Sequence, residues 1–109
     1  MSTKLNNPGF ILKYGLWEID KTVDAVLDYG FKWSTWLGTD TIATSVWAID
    51  PSGELIVDSD QIANLNATAV WISGGILNKS YMVTNTVTTT GGRTASRSFK
   101  VNIVATQST

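Results

Sequence analysis

The most constraining feature of the chain is a long alternating segment from Tyr81 to Val104, interrupted by the pair Gly91-Gly92. Side chains of a β-strand point alternately to opposite faces, so each arm of this segment opposes an apolar face to a face rich in Thr, Ser and Lys. Glycine reaches positive φ easily, which suits the turn of a hairpin. The pattern therefore predicts a half-buried β-hairpin. Its apolar face is predicted to carry Tyr81, Val83, Asn85, Val87, Ala95, Phe99, Val101 and Ile103.

Shorter strands separated by turn signals precede the hairpin. Alternation predicts strands over residues 26–34, 42–49, 55–57 and 67–72, and Asp58-Ser59-Asp60 is expected to break the run between the last two. About seven short strands at this spacing are typical of an immunoglobulin-like β-sandwich, so the predicted fold class is all-β. The predicted division of the chain is an N-terminal arm or edge extension over 1–25, the sandwich over 26–105 and a C-terminal tail over 106–109.

The predicted arm is too apolar for a solvated tail, since it contains Phe10, Leu12, Leu16 and Trp17 among other hydrophobic residues. It must bury that surface. Two placements stay open: the arm adds an edge strand to its own sandwich, or it docks on a neighbouring subunit.

Composition excludes most catalytic and metal chemistry. The 109 residues suffice for one domain with one core, and they include no Cys and no His. A disulfide framework, a thiolate metal site and the commonest general base are therefore absent. The pair Asp58 and Asp60 is better explained as solvated turn residues than as a cation site, because no further ligands accompany it. We expect no cofactor, no metal and no enzymatic activity.

Charge is distributed unevenly along the chain. All nine acidic residues lie within residues 1–60, whereas residues 61–109 contain no acid and carry Lys79, Arg93, Arg97 and Lys100. Either two β layers of one monomer attract each other, or copies pack head to tail with the basic outer face of the hairpin against an acidic neighbour. The net charge of −1 indicates neither nucleic acid nor an anionic membrane as a partner. No window approaches the roughly 20 apolar residues of a membrane span, and we expect a soluble protein made in a cytoplasm.

Five tryptophans invite a sugar-binding interpretation, because aromatic rings stack on pyranose rings. Trp33, Trp47 and Trp71 lie within predicted strands, and we expect them to fill the core. Trp17 and Trp36 are less committed and are the aromatic candidates for a partner interface. Tyr81 opens its strand after a loop and is predicted to form a tyrosine corner, with its hydroxyl bonded to nearby backbone.

Several motifs together resemble a family of short tailed-bacteriophage virion proteins described as fiber-tail adaptors. The likeness covers roughly residues 21–104. It rests on Asp24-Ala-Val-Leu-Asp28-Tyr, Trp33-Ser-Thr-Trp36-Leu-Gly, Asp40-Thr-Ile-Ala-Thr-Ser-Val-Trp47, Val70-Trp71-Ile-Ser-Gly-Gly75, Tyr81-x-Val-Thr-Asn85 and Gly91-Gly-Arg-Thr94.

The resemblance implies a non-enzymatic structural protein of the phage tail, made in the host bacterial cytoplasm and present in several copies, which links fibers to the tail tube. Its expected partners are other tail proteins and copies of itself. The interface candidates from the residues are Trp17, Trp36, Arg93, Arg97 and Lys100. Two alternatives stay open: a capsid decoration or head-completion protein, and a carbohydrate-binding host-adhesion module that uses Trp36.

Overall fold

The computed structural model describes residues 4–5, 11–13 and 16–105. These residues form nine β-strands and one helical turn. In chain order they are β1 (Lys4–Leu5), β2 (Ile11–Lys13), β3 (Leu16–Thr22), β4 (Leu27–Lys32), α1 (Ser34–Leu37), β5 (Ile42–Asp50), β6 (Leu55–Ala63), β7 (Ala67–Gly74), β8 (Ser80–Thr89) and β9 (Thr94–Val104).

The strands form two sheets packed face to face. One has the order β1-β4-β7-β6 and the other β2-β3-β9-β8-β5. The orders β1-β4-β7-β6 and β9-β8-β5 reproduce the two sheets of an immunoglobulin constant-type domain, which confirms the predicted immunoglobulin-like sandwich. The predicted hairpin is confirmed as antiparallel β8 and β9, with Tyr81 opposite Val101 and Val87 opposite Ala95. Gly92 in its turn has φ +91°.

The described part of the predicted arm belongs to this same sandwich. Strand β3 pairs in parallel with β9, with Trp17 opposite Phe99 and Lys21 opposite Ile103. Strand β2 covers the outer edge of β3, and β1 pairs with β4. The described residues between 1 and 25 therefore pair with strands of their own chain. The domain boundaries stay a prediction, and the predicted tail over 106–109 is outside the described residues.

Aromatic side chains fill the space between the sheets around Phe31. Its ring centroid lies 6.1 Å from that of Trp33, 6.0 Å from that of Trp47 and 5.8 Å from that of Phe99. The pairs with Trp33 and Phe99 are tilted and the pair with Trp47 is stacked, and aromatic pairs at these distances add to the energy of burial. The fully buried Trp33 and the half-buried Trp47 pack into this core as expected.

A small polar network is buried next to Trp33. The indole Nε1 donates to Thr68 Oγ1 at 3.1 Å and to Asn85 Oδ1 at 3.2 Å, and the Thr68 hydroxyl donates to the same Asn85 oxygen at 2.6 Å. Asn85 Nδ2 donates to the Ser45 hydroxyl and to the Val46 carbonyl. Asn85 thus joins β5, β7 and Trp33, which directly follows β4, through hydrogen bonds that satisfy buried polar groups.

The opposite end of the sandwich is closed by Tyr81. Its hydroxyl accepts a hydrogen bond from the Ile76 N–H at 3.0 Å and donates to Glu54 Oε1 at 2.8 Å. The first of these bonds confirms the predicted tyrosine corner. Lys79 Nζ lies 2.7 Å from the same Glu54 oxygen. Burial and the Glu54 hydrogen bond raise the pKa of Tyr81, while hydrogen bonds from Lys79 and Tyr81 lower the pKa of Glu54.

Two expectations about β6 and β7 were wrong. Asp58-Ser59-Asp60 does not break a strand, because β6 continues through it and absorbs the irregularity as a bulge between Val57 and Ser59. Trp71 does not fill the core, because the inward face of β7 belongs to Thr68, Val70 and Ile72 and strand alternation turns Trp71 to the outside.

Candidate interaction surfaces

The end of the sandwich that carries α1 brings Trp36 and Arg93 together. The Arg93 guanidinium lies 4.5 Å from the centre of the Trp36 ring. It also donates to the carbonyls of Trp36 and Leu37, at 3.2 and 2.8 Å, and lies 3.3 Å from Asp40 Oδ2. Because α1 is a single turn, its last carbonyls lack helical partners, and Arg93 supplies donors to two of them. Arg93 therefore fastens the β8–β9 turn to the segment that follows β4.

Asp40 is the anion of this end. A hydrogen bond with Thr89, followed by N–H groups of Thr41 and Gly91 and by the Arg93 side chain, lowers the pKa of Asp40 to about 2. The Thr41 and Gly91 N–H groups lie 2.9 and 3.0 Å from Asp40 Oδ1. A Cβ added at Gly91 would come within 2.8 Å of Asp40 Oδ2, so a larger residue here would displace the carboxylate. The carboxylate holds the turn in place.

Arg97 lies on the inward-facing row of β9, between Ala95 and Phe99, rather than on the outer face of the hairpin. Its guanidinium sits 4.0 Å from the centre of the Trp33 ring and donates to the Lys32 carbonyl at 3.1 Å. The expectation that Arg97 stands on the outer face was wrong, because its stem and charge cover the edge of the aromatic core.

The other two interface candidates lie elsewhere. Trp17 on β3 is half-buried and packs against the core, and Lys100 is half-buried on the outer face of β9 beside Glu18. The structure thus brings together Trp36 and Arg93, and leaves Trp17 and Lys100 along the β3–β9 pair. Whether any of the five contacts a partner stays a prediction.

The uneven charge is partly resolved within the monomer. Asp40 with Arg93 and Glu54 with Lys79 join an acid of the first half to a base of the second half, one pair at each end of the sandwich. The two halves are not two layers, however, since β3 and β5 from the acidic half pair with β9 and β8. Attraction within one chain is therefore real, but it acts between loops and not between sheets.

The outer face of the four-stranded sheet carries an apolar surface that the sequence reasoning missed. Trp71 of β7 is 45% exposed, and its register partners are Asp28 on β4 and Ser59 on β6. Ile56, which is 43% exposed, lies opposite Ser73 on the same face. We call this surface the Trp71 face and define it by Asp28, Ile56, Ser59, Ala69, Trp71 and Ser73.

The outer face of β8 and β9 is different in character. Cross-strand hydroxyl pairs cover it: Thr84 with Ser98 and Thr86 with Ser96, each at 2.8 Å. Ser80 donates to Asn102 at 2.7 Å, and Asn102 donates to Glu18 at 3.0 Å. We call this the hydroxyl face and define it by these residues. Its threonine side chains pair with each other while keeping the strand surface polar.

Comparison with protein families agrees with this architecture. The family model described as podophage GP4 fiber-tail adaptor protein gp77 matches residues 21–102. The chain belongs to this family. Membership supports a structural role in the phage tail, in contact with other tail proteins. No curated protein matches the chain.

The family match spans most of the sandwich. It begins at Lys21 in β3 and ends at Asn102 in β9, so Trp36, Arg93, Arg97, Lys100, the Trp71 face and the hydroxyl face except Glu18 lie within it. Trp17 lies outside it. The resemblance stated from sequence motifs is thereby confirmed at the level of the family.

The described residues of this adaptor-family chain contain no group of three or more His, Cys, Asp or Glu residues placed to hold a metal ion. Asp58 of the Asp58 and Asp60 pair accepts a hydrogen bond from the Ser73 hydroxyl at 3.0 Å. In the same described part of the chain, no helix has the length and apolar character required to cross a membrane.

Sequence reasoning also missed Lys21, which is completely buried. Its Nζ donates to the Thr22 carbonyl at 2.8 Å and to the Gly74 carbonyl at 2.7 Å, and so links the end of β3 to the end of β7. Burial lowers the pKa of Lys21, against the attraction of Asp24 and Asp58. Its position two residues after Ile19, on the same face of β3, was the available signal.

Proposed function

We propose that this chain is a non-enzymatic adaptor of the phage tail that links fibers to the tail tube through protein–protein contacts. The family match over residues 21–102 carries the proposal, because it covers most of the sandwich rather than one motif. The protein acts in the virion tail, after synthesis in the host cytoplasm, with other tail proteins and copies of itself as partners.

The geometry supports a scaffold in preference to a catalyst. The strongest polar clusters, around Asp40, Asn85 and Glu54, each hold segments of the fold together through hydrogen bonds. A general base, a nucleophile and an anion-stabilising group around one site would be needed for catalysis, and these clusters do not combine them. What the described surface offers to other molecules is strand faces and loops.

Deletion of the gene, complemented by expression of the protein in the host, tests this function. We expect particles made without the chain to keep their DNA-filled heads and to lose fibers, and the complementing protein to restore fibers and appear at the tail in electron micrographs of particles. Density on the head lattice would instead indicate a decoration or head-completion protein. Unchanged fibers on particles without the chain would contradict the proposed function.

A further inference from the structure

A tryptophan in the middle of an exposed sheet face needs an explanation. Strand β7 is an inner strand of its sheet, so Trp71 has a neighbouring strand on each side, about 4.8 Å away. Its side chain is nevertheless 45% exposed, and Ile56 beside it is 43% exposed. An exposed cluster of large apolar side chains on a folded domain marks an interaction surface more often than a scattered single residue does. Tryptophan is also the residue type most enriched at interface hot spots.

Carboxylates flank this apolar surface. Asp28 lies directly opposite Trp71, and the bulge in β6 places Asp58 against the Ser73 hydroxyl, 3.0 Å away. Bulges commonly re-aim a side chain next to a functional surface. Lys32 is on the same outward row of β4 but lies two register positions beyond Gly30, opposite Ala67. The part of the face around Trp71 is therefore acidic.

We propose that the Trp71 face docks another tail protein through an apolar surface with a basic rim. The inference rests on the proposed adaptor function and assigns it a surface and a partner chemistry. Trp71 and Ile56 bury against apolar side chains of the partner, while Asp28 and Asp58 meet its Lys or Arg residues.

A different protein fits this face better than a second copy of the chain. Among the described residues, Arg93 and Lys79 are engaged by Asp40 and Glu54, and Arg97 covers Trp33. Lys100 lies on the hydroxyl face between its register partners Glu18 on β3 and Met82 on β8. Most of the described basic side chains are thus engaged within the chain, and the exposed Lys32 lies at the end of β4 opposite Ala67, so a different protein is the better source of the basic rim.

A protein also fits better than a glycan. Sugar sites pair an aromatic ring with hydrogen-bonding groups that match hydroxyls, whereas Ile56 adds aliphatic area that a hydroxyl-rich ligand cannot cover well. Of the polar residues on this face, Ser73 already donates to Asp58, and on one side of Trp71 the outward residues Gly30 and Ala69 are small and offer no polar side chain. An exposed sheet face of this kind suits the face of another folded domain.

The test measures binding of the labelled full-length protein to purified phage particles from an infection in which its gene is deleted. Trp71→Ala is compared with Val46→Ala, a control on the outward side of β5 where the valine is 60% exposed. Asp28→Asn is compared with Thr86→Lys, which changes the charge by the same amount on the hydroxyl face. We expect Trp71→Ala to weaken binding at least about tenfold. Asp28→Asn should weaken it several-fold and reduce its dependence on salt, and both controls should bind like the unmodified protein.

The outcomes separate the inference from the function on which it rests. If the unmodified protein fails to bind these particles, the adaptor function itself is wrong. If it binds and Trp71→Ala binds equally well, the function stands and the Trp71 face is not the docking surface. Self-association of the free chain that Trp71→Ala abolishes would assign the face to a second copy. Loss of glycan-array binding by Trp71→Ala, with particle binding intact, would assign it to a sugar. Either of the last two results overturns the inference.

Discussion

The α1 end and the Trp71 face both present a tryptophan near acidic residues, yet they use these groups in opposite ways. At the α1 end Trp36 is covered by Arg93, and Arg93 is held by Asp40 and two carbonyls. On the Trp71 face the ring is 45% exposed on a folded sheet. The first region uses its aromatic and charged groups to hold the fold together, whereas the second leaves a large part of its tryptophan ring exposed to another molecule.

This difference corrects a simple reading of residue type. Trp36 and Arg93 have the composition of an interface hot spot, but their contacts are intramolecular and connect the β8–β9 turn to α1. Trp71 is of a residue type that is common in protein cores, but its side chain lies on the outer face of the sheet. Exposure and existing partners, rather than residue type, distinguish a candidate interface from a structural cluster.

The largest expected effect is on the free energy of unfolding, and it distinguishes the buried Trp33 from the exposed Trp71. Trp33→Ala should lower the free energy of unfolding by about 3–5 kcal/mol, because it empties a buried site and removes the ring beneath Arg97. Trp71→Ala should change it by less than about 1 kcal/mol, since the ring is half in solvent. Urea unfolding followed by circular dichroism measures both. Comparable losses for the two variants would show that Trp71 is part of the fold, and the comparison would fail.

A smaller effect tests the polar groups behind the α1 end. Asn85→Ala removes the acceptor shared by Trp33 Nε1 and the Thr68 hydroxyl, and it leaves the Ser45 and Val46 partners without their donor. We expect a loss of about 2–3 kcal/mol in the free energy of unfolding, because buried polar groups lose partners.

Thr86→Ala is the matched control for Asn85→Ala, one position further along β8 on the outward side. It removes one hydroxyl pair, with Ser96, that water can replace, and should cost less than about 0.5 kcal/mol. Equal costs for the two substitutions would mean that the buried network does not bind the sheets together more strongly than the hydroxyl face does.

The fold was largely predictable because it rests on local alternation. The pattern from Tyr81 to Val104 places Val83, Asn85 and Val87 inside without knowledge of the other sheet. The parallel pairing of β3 with β9 was not predictable in this way, since Trp17 and Phe99 are far apart in the chain and no local signal specifies the register. The apolar arm indicated burial but not its partner strand.

The candidate surfaces were less predictable, for a physical reason. In β7 both rows contain apolar residues, so the inward row is decided by what the opposite sheet offers: Thr68 is inside because Asn85 and Trp33 bond to it. That choice sends Trp71 outward. Arg97 lies two residues before Phe99 and so points to the same inward face. A charged residue is acceptable there only because its guanidinium stacks on Trp33 and donates to the Lys32 carbonyl. These partners are distant in sequence and invisible to a strand pattern.

The smallest expected effect concerns pH and asks whether Asp40 is committed to the fold. Its pKa is lowered to about 2 by hydrogen bonds with Thr89, Thr41 and Gly91 and by Arg93, below the value of 3.8 for a free carboxyl. A depressed native pKa means that the stabilisation from Asp40 is present above about pH 4 and is lost as the pH falls towards 2. Asp40→Asn should therefore unfold at lower urea concentration at neutral pH and lose less further stability between pH 4 and 2 than the unmodified protein.

Asp60→Asn on β6 is the control for this pH dependence, because it makes the same change of net charge on an exposed strand position. Glu54, whose pKa is also lowered, keeps its contribution in every variant, so part of the acid-induced loss should remain. If Asp40→Asn lost as much stability between pH 4 and 2 as the unmodified protein does, the hydrogen bonds around Asp40 would contribute no stability. The α1 end would then not depend on Asp40 for its stability, and it would rival the Trp71 face as the surface that meets a basic partner.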